Sequence, residues 1–294
     1  MLRYKKWIYN IYRPSLNRNS RFNKLRLEKN ERITDFEKSL LSNFKQQINS
    51  SHINVYPETY SLYDTLAKHH KLRKNNFLIT AGSDAGIRTC FDVFVHPKSK
   101  IIITEPTFAM VDVYSKLFNA KVLKIKYDSK LKLDVEKLIN QIDNKTSLVI
   151  IANPNSPSGT IFNIIEIKRI VLRAKLKGVA VLIDEAYFGF SKLTAINLIK
   201  KHSNLIISRT FSKAYGMAGL RVGYLISCSQ IINLLNKFKP MYEINSLGIL
   251  LAKILIKNRN ISRLYISQTE KGKVFLFNYF KKKKIKTINT HTNF

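Results

Sequence analysis

The 294-residue chain has little cysteine, little acid and no long apolar run. Its two cysteines, Cys90 and Cys228, lie far apart with no histidine nearby. That excludes a disulfide framework and a cysteine metal cluster, and both read as reduced, buried thiols. Apolar stretches such as 148–152, 179–183 and 205–207 fall well short of the roughly 18 residues a membrane span needs. Charged and polar residues interrupt the opening Met1-Leu2-Arg3-Tyr4-Lys5-Lys6-Trp7 and the stretch after it, so no apolar leader core develops before Pro14. The expected location is cytoplasmic, with no membrane partner.

Acid is the scarcest charge: 19 Asp and Glu face 51 Lys and Arg, a formal net charge of +32. Such an excess raises nucleic acid as a partner, because Lys and Arg release counterions from phosphates. Here the excess is spread along the chain beside abundant Ile and Asn, as an AT-rich coding sequence produces, so nucleic acid is not expected. The one dense run, 281–284, reads as a solvated helix end. A positive field still concentrates anionic substrates. With 45% hydrophobic residues, no internal repeat and a single short low-complexity stretch, the chain is globular, with one large α/β domain or two smaller ones.

Residues 1–30 lack sustained periodicity and predict an extended arm. Thr34-Asp35-Phe36-Glu37 reads as a capping box opening a helix to about residue 48, with Phe36, Leu40, Leu41 and Phe44 at helical spacing. Tyr56-Pro57 marks an extended loop before a helix over 61–70. Short apolar strands then alternate with amphipathic segments: 77–80, 101–104, 122–125, 148–151, 179–183, 205–208 and 222–226. Fully apolar strands between helices predict an α/β fold, a mostly parallel sheet with helices on both faces. Helices follow over 247–256 and 261–280, the second long enough to bridge domains, and 285–288 reads as the first strand of a further unit. The expected division is an arm and helix (1–50), a large α/β domain (51–258), and a bridging helix with the start of an incomplete small domain (259–294).

Four segments place special residues just after a strand, where open α/β sheets bind ligands. In Thr80-Ala81-Gly82-Ser83-Asp84-Ala85-Gly86, backbone amides and the Ser83 hydroxyl can hold a phosphate at a helix start; alone, the same residues make a tight turn and an N-cap. Asn153-Pro154-Asn155-Ser156-Pro157-Ser158-Gly159-Thr160 is a rigid turn that can present an Asn amide, or an ordinary loop. In Asp184-Glu185-Ala186-Tyr187 the aspartate can bind metal, cap a helix or pair with a protonated heterocycle. Ser208 to Gly223 carries Lys213 between hydroxyl residues with Arg221 eight positions on, which suits an amine forming a Schiff base beside an anion site; a surface lysine in a glycine-rich loop is the plain alternative.

Asn155, Asp184 and Lys213 follow one another at intervals of 29 residues, each ending a successive strand. This order and spelling resemble the fold-type I pyridoxal-phosphate aminotransferases, within them the histidinol-phosphate aminotransferase branch, from about residue 25 to the end. The resemblance implies the type I transferase fold, pyridoxal 5'-phosphate as cofactor and no metal. It gives Lys213 the covalent hold on the cofactor and the proton shuttle at the substrate carbon. It pairs Asp184 with the pyridine nitrogen, so that the ring accepts electrons from the substrate carbanion. Tyr187 and Asn155 take the ring hydroxyl, although Ser156 stands where many relatives carry a second asparagine. The phosphate falls to Ser83, the Asp84 backbone, Thr210, Ser212 and Arg221, with Ala85 where relatives carry Glu. Phe108, in Glu105-Pro106-Thr107-Phe108, stacks on the ring where tyrosine is usual. Tyr56 reaches the phosphate of a neighbouring subunit, which implies a homodimer.

Relatives continue into a small α/β domain with an arginine for the substrate carboxylate, a clamp that supplies orientation. The residues present stop before it, so the expectation is a truncated member, a split gene or an enzyme that recruits the missing part. The activity implied is transfer of an amino group between glutamate and a phosphorylated or otherwise anionic carbonyl compound. Its alternatives are decarboxylation of a phosphorylated amino acid, as in threonine-phosphate decarboxylases, and an inactive truncated homologue.

Overall fold

The computed structural model of the chain describes residues 4–9, 11–12, 21–22 and 24–294. Seven strands form one sheet: β1 (Phe77–Thr80), β2 (Lys100–Glu105), β3 (Lys121–Lys126), β4 (Thr146–Ala152), β5 (Ala180–Asp184), β6 (Leu205–Thr210) and β7 (Gly223–Ile226). Their order is β1-β7-β6-β5-β4-β2-β3, with β7 antiparallel to both neighbours and every other pair parallel. Each lies within two residues of its predicted bounds: the inner strands, buried on both faces, are written as apolar runs, while the edge strand β3 is largely exposed and carries Lys124 in its middle.

The helices are α1 (Lys38–Gln46), α2 (Ser51–Asn54), α3 (Tyr60–His70), α4 (Gly82–Phe94), α5 (Ala109–Leu117), α6 (Val135–Asn140), α7 (Ile164–Leu176), α8 (Ser229–Asn236), α9 (Ser246–Lys257) and α10 (Arg259–Lys282). They cover the sheet in two layers. On one face α4, α5 and α8 pack Phe91, Val111 and Leu235 on Ile101, Ile103 and Leu182. On the other α3, α6, α7 and α9 pack Leu66, Leu138, Ile170 and Leu255 on Ile102, Val181 and Ile183. Alternate residues of one strand serve opposite cores, as the period of two requires.

Three local expectations are corrected. No capping box forms at Thr34: helix α1 starts at Lys38, with Glu37 as its N-cap and no side-chain cap bond. The Arg32 guanidinium takes the carbonyls of Thr34 (3.0 Å) and Asp35 (3.0 Å) and holds this stretch out of the helix. Residues 285–288 form no strand, since no strand of the sheet lies beside them to complete a ladder. Cys228 is half-buried rather than buried, its thiol donating to the Ser203 carbonyl (3.3 Å). Part of the arm expected over 1–30 lies outside the described residues. Within them, Trp7 donates its indole N–H to the Leu117 carbonyl at the end of α5 (3.1 Å).

Candidate active site

The six parallel strands end on one edge of the sheet, and β7 starts there. Register aligns what they carry: Asp184 lies beside Ala152 and Ser208, and Gly223 beside Thr80 and Thr210. The turns after β1, β2, β4, β5 and β6 therefore meet over one line, and ten of the eleven expected site residues sit on them. Tyr56 is the exception within a single chain. It stacks on Tyr242 (4.1 Å between ring centres), is 70% exposed, and lines a separate open cavity of about 460 Å³ with His52 and Glu58.

An anion cup forms where β1, β6 and β7 meet. Ser83 and Asp84 lie in the first turn of α4, whose unpaired amides carry the helix's partial positive charge. The Arg221 guanidinium crosses this turn, donating to Ser212 Oγ (3.4 Å) and the Ala81 carbonyl (3.4 Å). Thr210 Oγ1 donates to Ser212 Oγ (3.0 Å) and accepts from the Ser212 amide (3.1 Å), so the hydroxyls converge with Arg221. Two glycines permit this closeness. Gly82 has φ +81°, and a Cβ there would lie 2.6 Å from Arg221 Nη2; a Cβ on Gly223 would lie 2.6 Å from the Ser83 nitrogen. Asp84 turns its carboxylate away, accepting from the Tyr114 hydroxyl (2.9 Å), which leaves its backbone for the cup.

At the end of β5 two neighbouring carboxylates differ sharply. Glu185 is buried with its oxygens fully engaged: Arg209 donates from Nε (3.0 Å) and Nη2 (2.8 Å), Thr194 by its hydroxyl, and Ala195 by its amide (2.6 Å). Arg209 also lies over the Phe188 ring at 3.5 Å. Asp184 is also buried, yet among the described residues its Oδ1 has no partner. Burial pushes its carboxyl up to about 7, against the opposing pull of the Ser208 hydroxyl and the Ala186 amide. A buried acceptor left open on a ligand-binding edge fits a cationic N–H donor.

Lys213, half-buried, donates from Nζ to the Lys29 carbonyl (2.6 Å) and lies 5.6 Å from the centre of the Tyr187 ring. Burial holds its ammonium below the usual lysine range; Arg221 adds to this, while Glu31 and Asp184 oppose it. That is the direction an amine nucleophile requires. Burial likewise holds the Tyr187 phenol above its usual value, against Asn30 and Ser156 beside its hydroxyl. Asn155 donates from Nδ2 to Pro106 O (3.0 Å) and Ser158 Oγ (2.7 Å), while its buried Oδ1 has no partner among the described residues. Its donor half thus closes the turn, and Ser156 is the residue of that turn beside Tyr187. Phe108 caps α5 at the end of β2, half-buried against the core.

Sequence reasoning missed four residues here: Ser156, Asn30, Asn293 and Arg209. Asn30 donates to the Tyr187 hydroxyl (3.0 Å), and Asn293 donates to the Asn30 carbonyl (3.0 Å). No local pattern announces these contacts, since 157 and 263 residues separate the partners. Among the described residues no three His, Cys, Asp or Glu converge as a metal site, and no helix is long and apolar enough to cross a membrane.

Comparison with known proteins agrees with this geometry. The family model described as aminotransferase class I and II matches residues 23–272. The chain is 33% identical over 238 residues to the histidinol-phosphate aminotransferase of Caldanaerobacter subterraneus subsp. tengcongensis, covering 80% of this chain and 67% of that protein. It superimposes on the crystal structure of the histidinol-phosphate aminotransferase from Clostridium acetobutylicum with a TM-score of 0.77 at 25% identity, over 90% of this chain and 79% of that one. The Sinorhizobium meliloti enzyme of that name, solved in complex with pyridoxal-5'-phosphate, gives a TM-score of 0.81 at 21% identity, over 90% and 72%. The chain spans about two thirds of the length of the curated relatives it matches.

Proposed function

The chain belongs to the class I and II aminotransferases, and from that premise we propose that it is a pyridoxal-phosphate-dependent transaminase of histidinol-phosphate aminotransferase type. It moves an amino group between glutamate and a phosphorylated or otherwise anionic carbonyl compound. The observation that carries this reading is the buried, open Oδ1 of Asp184, set between an anion cup and a lysine depressed by burial.

The residues present fit the cofactor. Ser83, the Asp84 amide, Thr210, Ser212 and Arg221 would bind its phosphate, Asp184 its pyridine nitrogen, Tyr187 and Asn155 its ring hydroxyl, and Phe108 the face of its ring. When bound, pyridoxal phosphate is the sink for electrons released at the substrate's α-carbon. Asp184, ionised and shielded from water, would keep a proton on the pyridine nitrogen. Lys213 would hold the cofactor covalently, and its Nζ, once neutral and free, would be the base that takes the substrate's α-proton and the acid that gives it back. Arg221 keeps the phosphate end fixed while this proton moves.

Residues 51–258 make up the cofactor-binding domain, and α10 within 259–294 is the bridging helix. Tyr56, exposed beside Tyr242, reaches the phosphate of a second copy in a homodimer. The test is a half-reaction. Purified protein is loaded with pyridoxal phosphate and given glutamate; a bleached visible band with one 2-oxoglutarate released per site supports transamination, and Lys213→Ala abolishes both. Carbon dioxide released from a phosphorylated amino acid, without oxo-acid, sinks the proposal in favour of decarboxylation.

A further inference from the structure

We propose that Asn30 is a further positioning residue of this site: its side-chain amide donates to the Tyr187 oxygen, so that the phenol's single proton is left for the cofactor's ring oxygen. This rests on Tyr187 meeting that ring oxygen and goes beyond it, since Asn30 lies on the irregular strap ahead of α1, far from every motif. A hydroxyl has one proton and two acceptor sites, whereas an amide NH₂ can only donate. The Asn30–Tyr187 bond (3.0 Å) therefore fixes Tyr187 as acceptor there and sends its O–H elsewhere. Accepting one hydrogen bond also polarises the O–H and makes it a better donor to the next group.

The strap holds Asn30 in place from both sides. Lys29, the preceding residue, accepts from Lys213 Nζ (2.6 Å), and the Asn30 carbonyl accepts from Asn293 (3.0 Å). Asn30 itself has φ +52°, a left-handed conformation that asparagine tolerates better than most residues. The Phe294 ring braces Tyr187 edge-on at 5.4 Å. The charged groups acting on the Lys213–Tyr187 pair are Asp184 at the end of β5, Glu31 on the strap and Arg221 ahead of β7. None of them donates to the Tyr187 oxygen; its uncharged neighbours are the Asn30 amide and the Ser156 hydroxyl, and of these two only the amide is confined to donating, which makes Asn30 the group that fixes the direction of the phenol's proton.

The experiment is a pH titration of the visible absorbance band of the full chain loaded with pyridoxal phosphate, in wild type, Asn30→Ala, Asn30→Asp, Tyr187→Phe and the Asn30→Ala/Tyr187→Phe double variant. Without Asn30, Tyr187 is a weaker donor, the negative ring oxygen is less stabilised, and the Lys213–cofactor linkage keeps its proton to higher pH. Asn30→Ala should raise the midpoint by about 0.5–1 pH unit. Asn30→Asp keeps the size but replaces donor by acceptor, and should raise it at least as far. In the Tyr187→Phe background, Asn30→Ala should add nothing. A wild-type band whose midpoint Asn30→Ala leaves unmoved, or moves equally in both backgrounds, overturns the role of Asn30 and leaves the cofactor reading standing. A folded wild type that forms no band overturns both.

Discussion

Asp184 and Glu185 are neighbours, both carboxylates, both buried, and the structure treats them in opposite ways. Glu185 is saturated by Arg209, Thr194 and Ala195 and ties the loop after β5 to β6. Asp184 keeps one oxygen open in the same dry surroundings. Folding alone accounts for the first arrangement, because a buried carboxylate with a full set of donors is a stable local solution. It does not account for the second, which carries a desolvation cost that only a bound donor offsets. On the proposed reading, adjacent positions in one motif serve as scaffold and site, and hydrogen-bond satisfaction, rather than burial or charge, tells them apart.

The largest effects should come from exchanging these roles. Glu185→Gln leaves Arg209 buried and short of a counter-charge; unfolding free energy should fall by about 3–5 kcal/mol, read by denaturant titration, with activity declining only as the folded fraction declines. Asp184→Asn should show the reverse. Amino transfer falls by roughly 10²–10³-fold in steady-state assay, the scale for losing one electrostatic partner of the reacting system. The cofactor-free protein becomes more stable at pH 8, because a destabilising buried charge has gone.

The pH dependence sharpens the same contrast. Folding raises Asp184 from 3.8 to about 7, so the folded state holds the proton more tightly than the unfolded chain. Its stabilising contribution is complete below about pH 4 and is lost as the pH rises through about 7, a span of about 4 kcal/mol. Melting of the cofactor-free wild type minus that of Asp184→Asn should fall across this window and flatten above it; a difference independent of pH would remove the open-carboxylate argument. The smallest effect belongs to the cup. Arg221→Lys keeps the charge but loses the fork between Ser212 and the α4 turn, and should weaken cofactor binding by about tenfold in equilibrium dialysis.

The sheet was almost wholly legible because its inner strands are apolar runs, with only the edge strand β3 interrupted by Lys124, and the turns that converge at its edge because they are spelled locally in Gly82-Ser83-Asp84 and Ser212-Lys213. What the sequence hid depends on distant partners. Thr34 to Glu37 spells a capping box, yet Arg32 takes the Thr34 and Asp35 carbonyls between the Phe36 and Tyr265 rings. Residues 285–288 have strand composition but no neighbour to pair with. Asn155 reads as a ligand amide, and its donor half is spent inside its own turn. Asn30 meets Tyr187 only because strap and sheet edge come together in the fold.

The most direct test of a cofactor site at Lys213 is to load the protein with one equivalent of pyridoxal phosphate, reduce with borohydride, digest and locate the pyridoxyl label. Lysines are spread along the whole chain, so adventitious labelling has every opportunity to scatter. The expected result is one label per chain, on Lys213. Label spread over surface lysines, with Lys213 unmodified in a folded protein, would contradict it.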